Sequence, residues 1–282
     1  MSSPPFTDPC RLCGGDTPPE PRFAGLLSRC PTCGFTWTST APAASSDLYD
    51  TAYFTGEGYE DYFDHAARRY ESRLRLRWLL ETGPVGALIE AGAAGGFFVA
   101  TAAAAGIDAQ GVEMSQAAAS IARESLNVRV HSGSFENASF TTPVDAVCAF
   151  HVLEHVEDPV EFLDAARRLL VAGGRLALEV PNIESAAAAR LGEAWPHIQP
   201  RYHRWHFSVA TLTRLVQRAG FDVETIDTVF SRFYWRRWGR AAHLRSLLIA
   251  DVAASHSVRL THPTMGDMIR VVARLSPQGR DA

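Results

Sequence analysis

Four cysteines are spaced for metal chemistry. Cys10-Arg-Leu-Cys13-Gly14 and Cys30-Pro-Thr-Cys33-Gly34 are two C-x-x-C-G units separated by 16 residues. Four thiolates so arranged can close a tetrahedral zinc site, and the glycine after each second cysteine suits a tight knuckle that aims backbone amides at sulfur. Two disulfides or a redox pair are the alternatives. The first is disfavoured by an N-terminus, MSSPPFTDP, with no basic-then-apolar export signal, and the second by the duplication. Four cysteines leave no open coordination position, so the predicted Zn2+ is structural. Histidines form a second reactive set: His151 and His155 in one segment, His203 and His206 in another. A neutral imidazole is matched to taking up a proton near pH 7. His151 and His155 stand at i and i+4, a metal-pair spacing, but with no third ligand beside them they read as part of the fold.

A third set could hold a nucleoside. Ala87-Leu-Ile is a short apolar run closed by Glu90, and the small residues Gly92-Ala-Ala94-Gly-Gly96 lead into a helix near Phe97. A second short strand, 109–112, ends on Glu113, 21 positions after Gly92. This is a strand, a tight loop and a helix, then a carboxylate able to accept two hydrogen bonds from a ribose diol. The dinucleotide pattern G-x-G-x-x-G fails, because Ala94 and Phe97 occupy its second and third glycine positions.

What fits is E-x-G-x-A-x-G, which resembles motif I of class I S-adenosylmethionine (SAM)-dependent methyltransferases, with Ala94 where a middle glycine is usual. The chain continues in the same vein. Val144–Phe150 reads as a buried strand, followed by His151-Val-Leu-Glu154-His155, a helix to Leu170, the turn Val171-Ala-Gly-Gly174 and a strand over 175–180. That order is similar to the family's fourth strand, helix and fifth strand over some forty residues. The resemblance implies a Rossmann-like α/β fold with a doubly wound, mostly parallel seven-stranded sheet and SAM as cofactor. It places Glu90, Gly92, Ala94, Gly96, Glu113 and the adjacent Met114 on that cofactor. It sets Ser134 and Phe135, in the turn after the third strand, along the adenine. His151 falls at the sulfonium end, with Glu154 and His155 as acid/base groups nearby.

Residues 195–208, WPHIQPRYHRWHFS, are polar and aromatic where a connection would ordinarily be dull. They resemble the E-H-x-x-x-F-S segment of zinc-ribbon sugar C-methyltransferases, with His203 at the catalytic histidine's place and Tyr202 where the glutamate would be. The resemblance implies His203 as general base, with His206, His151 and Tyr202 behind it. The departure at Tyr202 weakens transfer of the sugar reaction itself. A capped helix over 208–219 and a strand over 222–228 follow, and 266–274 resembles the family's last strand.

Positioning these residues takes three parts: a zinc ribbon over 1–40, a linker and aromatic helical lid over 41–82, and a methyltransferase core over 83–282. The lid carries Tyr53, Phe54 and Tyr62 as site candidates, and its helix is expected over 59–80 with Leu74, Trp78, Ala67 and Glu71 along one side. Residues 232–248 alternate aromatic and basic and suit an anionic substrate or a membrane surface. At 282 residues and 46% hydrophobic content the chain can fill one α/β core with an appendage. All 27 basic residues are arginine, which excludes a P-loop lysine and a pyridoxal-phosphate Schiff base. No run approaches a membrane span, and a cytoplasmic protein is expected. A net charge of −4 and a pI near 6.2 argue against nucleic acid as partner. The expected partner is a small-molecule acceptor, a sugar or anionic metabolite, methylated on oxygen or carbon in natural-product or glycan biosynthesis. An RNA methyltransferase gripping its substrate through the ribbon, and a non-catalytic SAM-fold interaction protein, are the alternatives.

Overall fold

The computed structural model describes residues 9–40, 65–230 and 261–277. Three short strands come first, β1 (Glu20–Arg22), β2 (Leu27–Arg29) and β3 (Thr36–Thr38). They are followed by α1 (His65–Leu80), β4 (Ala87–Ala91), α2 (Phe97–Ala104), β5 (Asp108–Glu113), α3 (Gln116–Leu126), β6 (Val130–Ser132) and β7 (Val144–Phe150). The second half adds α4 (Pro159–Leu169), β8 (Leu170–Pro181), α5 (Ala186–Leu191), β9 (Trp205–His206), α6 (Val209–Arg218), β10 (Phe221–Val229), β11 (Thr261–His262) and β12 (Met268–Leu275).

The large sheet has the order β11-β10-β12-β8-β7-β4-β5-β6. Strands β6, β5, β4, β7 and β8 run parallel, and β12 is antiparallel to both of its neighbours. This is the expected Rossmann-like, mostly parallel seven-stranded sheet, with the two-residue β11 added at the β10 edge. Parallel strands covered on both faces are near-continuously apolar, and VDAVCAF of β7 departs from that only at Asp145, whose carboxylate accepts from the Gly86 and Ala87 amides, with Cys148 simply buried in mid-strand. One face packs Leu76, Trp78 and Leu79 of α1, Phe98 and Val99 of α2 and Ala119 and Ala122 of α3 against Leu88, Ala146 and Ala177. The other packs Phe162 and Leu163 of α4 and Leu212 and Leu215 of α6 against Ile89, Val147 and Leu178.

Local chemistry starts these helices where the sequence suggests. Ser115 caps α3 by accepting from the Ala118 amide, and Asp158 caps α4 with Pro159 following at the first helical position. Ser208 and Thr211 form a reciprocal capping box at the start of α6.

Three sequence expectations shift. The third strand, expected at 128–130, lies at 130–132, because Asn127 turns left-handed (φ 52°) to end α3 and the ladder with β5 begins only at Gly111 opposite Val130. The expected turn at 171–174 is part of β8: Leu170 already pairs with Val144, and the register slips between Val144 and Ala146. On α1 the buried side is Ser72, Leu76 and Leu79 with Trp78, while Leu74 is half-buried. This helix, placed in the lid segment by the sequence, packs into the sheet's core. Tyr53, Phe54, Tyr59, Tyr62 and residues 232–248 lie outside the described residues.

The N-terminal ribbon joins the core through strand pairing. Its sheet runs β1-β2-β3-β9, so Thr36 and Trp37 pair with His206 and Trp205 from the histidine-rich connection. Phe35 stacks on Trp205 with ring centroids 5.6 Å apart and leans on Phe207 at 5.8 Å. Among the described residues no helix is long and apolar enough to cross a membrane.

Candidate active site

The chain passes from β4 outward to β5 and β6, then returns to the other side of β4 with β7. Such a reversal opens a crevice at the carboxyl ends of the strands, where ligands of open α/β sheets bind. The bend after β4 lies there. Gly92 has φ +68°, and a Cβ on it would sit 2.4 Å from Val152 Cγ2; at Gly96, φ +75°, it would meet Val128 Cγ2 at 2.8 Å. Neither position admits a side chain, so the backbone itself forms the crevice wall. Ala94 adopts φ 45°, the left-handed conformation that explains why glycine is usual there.

Glu113 closes the bend. Its Oε2 accepts from the Ala94 amide at 2.7 Å and its Oε1 from the Ser115 amide at 2.8 Å. Each oxygen keeps a further lone pair, the acceptor capacity a diol requires. Burial pushes its carboxyl up while these amides pull it down, with a net rise. Met114 beside it is exposed. Glu90 is buried under the bend with Oε2 lacking any hydrogen bond; burial drives its carboxyl well above the usual range, against the pull of the Arg75 guanidinium. A wall that a Cβ would fill and an orphaned carboxylate oxygen beneath it fit a bound nucleoside, and SAM would be held by Glu90, Gly92, Ala94, Gly96 and Glu113. Ser134 Oγ accepts from Asn137 Nδ2 at 2.9 Å, and Phe135 is buried against Phe162 with centroids 4.8 Å apart.

His151 ends β7 beside this crevice in a left-handed conformation, φ 59°, fixed by its amide donating to the Glu179 carbonyl at 2.8 Å. Its ring lies 3.5 Å from Glu154 Oε1 through Nδ1 and 3.2 Å from Glu179 Oε1 through Nε2, with about a third of the side chain exposed. Burial lowers its pKa, but the two carboxylates outweigh that and raise it to about 9. His151 is therefore a cation at neutral pH. Glu179, a charge inside the apolar run of β8, also binds Arg75 and, at 2.5 Å, Arg270. Burial alone would raise its carboxyl; Arg270, Arg75 and His151 hold it well below the usual range. The sequence reading missed this hub, whose signal was an acid within LALEVP flanked by leucine and valine.

Behind His151 the structure gathers histidines from two distant segments. His155 Nδ1 donates to the Tyr202 carbonyl at 3.1 Å, and its ring meets that of His203 edge-on at 4.6 Å. His203 Nδ1 donates to the His197 carbonyl at 2.9 Å. Thr38 of the ribbon donates its hydroxyl to the His203 carbonyl at 2.5 Å and sits 3.0 Å from His206 Nε2. Burial and mutual repulsion hold these rings neutral: His203 well below its ordinary pKa, His155 lowered, His197 near 4 and His206 near 3. Tyr202 contributes its backbone carbonyl, while the Arg201 guanidinium lies 5.4 Å from its ring centre. The sequence reading set aside a metal pair at His151 and His155 for want of a third ligand. The pair itself stays set aside, and the structure instead brings Glu154, His155 and His203 together with one donor atom each within 4.8 Å of one another. His151 is not among them, because residues 151–157 form turns and not a helix.

The four N-terminal cysteines also converge. Cys10 Sγ and Cys33 Sγ are 3.5 Å apart, Cys13 Sγ and Cys30 Sγ 3.7 Å, and all four lie within 4.8 Å. Tetrahedral zinc–sulfur bonds of ~2.3 Å set sulfurs about 3.8 Å apart. The amides of Leu12 and Cys13 point at Cys10, and those of Thr32 and Cys33 at Cys30, whose thiol they bring to about 7 against the upward push of burial. The cluster fits a small zinc ribbon.

Comparison with known proteins agrees with this fold. The methyltransferase-domain family matches residues 63–226, more than half of the chain, and the chain belongs to it. A ubiquinone biosynthesis O-methyltransferase of Thiobacillus denitrificans is 26% identical over 169 residues, covering 54% of this chain and 72% of the relative. The SAM-dependent methyltransferase of Thermotoga maritima superposes with a TM-score of 0.54 at 23% identity, covering 77% of this chain and 94% of the other. Magnesium protoporphyrin IX methyltransferase of Synechocystis PCC 6803, solved with S-adenosylhomocysteine (SAH) bound, gives 0.55 at 15% identity, covering 79% and 97%. The protein is a SAM-dependent methyltransferase.

Proposed function

We propose that the protein methylates an oxygen or acidic carbon of a small molecule held between the bend at 92–96 and the histidine cluster. When bound, SAM supplies a methyl group made electrophilic by its sulfonium. The chain's own residues must then align the acceptor, exclude water and receive its proton. The observation that carries this reading is the gathering of imidazoles at the end of β7, with Nδ1 of His155 and His203 each donating to a backbone carbonyl and the lone pair left on Nε2. His203 is the expected proton acceptor: its Nδ1–H is pinned to the His197 carbonyl, which leaves the lone pair on Nε2. His151, protonated and partly exposed, orients a negatively charged or hydrogen-bond-accepting group. This favours an anionic metabolite or a sugar, within natural-product or glycan biosynthesis. The name of the Thiobacillus relative supports transfer to oxygen.

The four cysteines hold a structural zinc, which fixes β3 and through it β9 and the His203–His206 segment. The test is a panel of phenols, sugar nucleotides and hydroxy acids, with total RNA alongside, read by SAH formation. Turnover of a small molecule supports the reading; turnover of RNA alone overturns it. His203→Asn should keep SAH affinity and lose roughly 10²–10⁴-fold in kcat.

A further inference from the structure

We propose that Glu154, His155 and His203 form a second metal site, for a divalent first-row transition ion, separate from the four cysteines. Glu154 is 1% exposed, yet neither carboxylate oxygen has a hydrogen bond. Its nearest cationic partner is His151 Nδ1 at 3.5 Å, and Nε2 of the neutral His155 lies at 4.0 Å, both too long for good hydrogen bonds. A buried carboxylate left in this state is costly unless something else engages it.

The two imidazoles are preset for that role. A backbone carbonyl only accepts, so the Tyr202 and His197 carbonyls fix the proton on Nδ1 of His155 and His203 and put each ring's lone pair on Nε2. Donation of the distal ring N–H to a carbonyl is the usual second layer of a metal-bound histidine, orienting the ring and raising its basicity. Three donors within 4.8 Å must draw in to the ~3.3 Å spacing of bonds near 2.0–2.2 Å, so the imidazoles and the carboxylate all shift inward on binding.

Two nitrogens and one carboxylate oxygen suit zinc, iron(II), cobalt or manganese rather than calcium or magnesium. Three protein ligands also leave coordination positions open, as a structural four-cysteine site does not. With the ion in place His203 is a ligand and not the proton acceptor, so the inference is an alternative to that one role in the proposed function, leaves the SAM site and the small-molecule acceptor as they stand, and can fail without them.

The experiment is metal stoichiometry of the full chain equilibrated with Co2+, by plasma mass spectrometry with visible absorption. Wild type should hold two equivalents: one with intense thiolate charge-transfer bands, one with only weak ligand-field bands. His203→Gln and Glu154→Gln should each hold one, losing the weak bands and keeping the thiolate bands. Calorimetric SAH binding checks that each variant is folded. A wild type that binds SAH but holds one equivalent, all in the thiolate bands, overturns the site. So do two equivalents unchanged in both variants. Loss of SAH binding in the wild type counts instead against the methyltransferase reading.

Discussion

Thr38→Val tests whether the ribbon positions the histidine cluster. The threonine is 1% exposed, and its hydroxyl serves the His203 carbonyl at 2.5 Å and His206 Nε2 at 3.0 Å. Valine keeps the shape and removes the hydroxyl, leaving a buried carbonyl and a buried ring nitrogen without that partner. Each such group costs about 1–3 kcal/mol, so the loss should be roughly 2–6 kcal/mol. For a chain of this size that lowers Tm by about 3–10 °C. Urea unfolding gives the free energy, and Thr38→Ser, which keeps the hydroxyl, should recover most of it. Turnover should fall with stability conditions matched, because the 203–206 segment loses its tie to β3. A Thr38→Val protein within 0.5 kcal/mol of wild type would refute the reasoning, since the ribbon would then rest on its apolar contacts alone.

Other perturbations have comparably definite outcomes. Gly92→Ala forces a Cβ to within 2.4 Å of Val152 at φ +68°, and should weaken SAH binding by at least tenfold in calorimetry. Glu179→Leu leaves Arg75 and Arg270 buried without their shared partner, and should cost about 3–5 kcal/mol by denaturant unfolding. Stability should fall as pH drops from 6.5 towards 4. There the unfolded chain protonates histidines that the folded chain keeps neutral, His197 to about 4 and His206 to about 3, at ~1.4 kcal/mol per pH unit for each. His151 acts oppositely: its contribution is complete below 6.5 and is lost as pH rises through about 9. Urea midpoints across pH 4–10 check both limbs, and a flat acid limb contradicts the neutral cluster.

The sheet was legible because its strands announce themselves locally. Val144–Phe150 is apolar apart from Asp145, Gly92 and Gly96 mark a bend that only backbone can form, and Ser115, Asp158 and Ser208 are caps readable within four residues. What was not legible depends on partners far apart in sequence. The pair Trp205–His206 is too short for any periodicity, and only the facing β3 makes it a strand. His151 and His155 read as a pair with no third ligand, and the grouping of Glu154 and His155 with His203 was hidden because His203 arrives from 48 residues downstream of His155. Glu179 was hidden because its two arginines come from α1 and β12, on opposite flanks of the chain.

The central claim is that the nucleoside of SAM lies along the bend at 92–96 with its ribose on Glu113. A crystal structure grown with SAH tests it most directly. The account predicts density along Gly92–Gly96, both ribose hydroxyls on the Glu113 carboxylate and the sulfur facing His151. An ordered bend with no ligand against it, or SAH seated elsewhere on the chain, would contradict it.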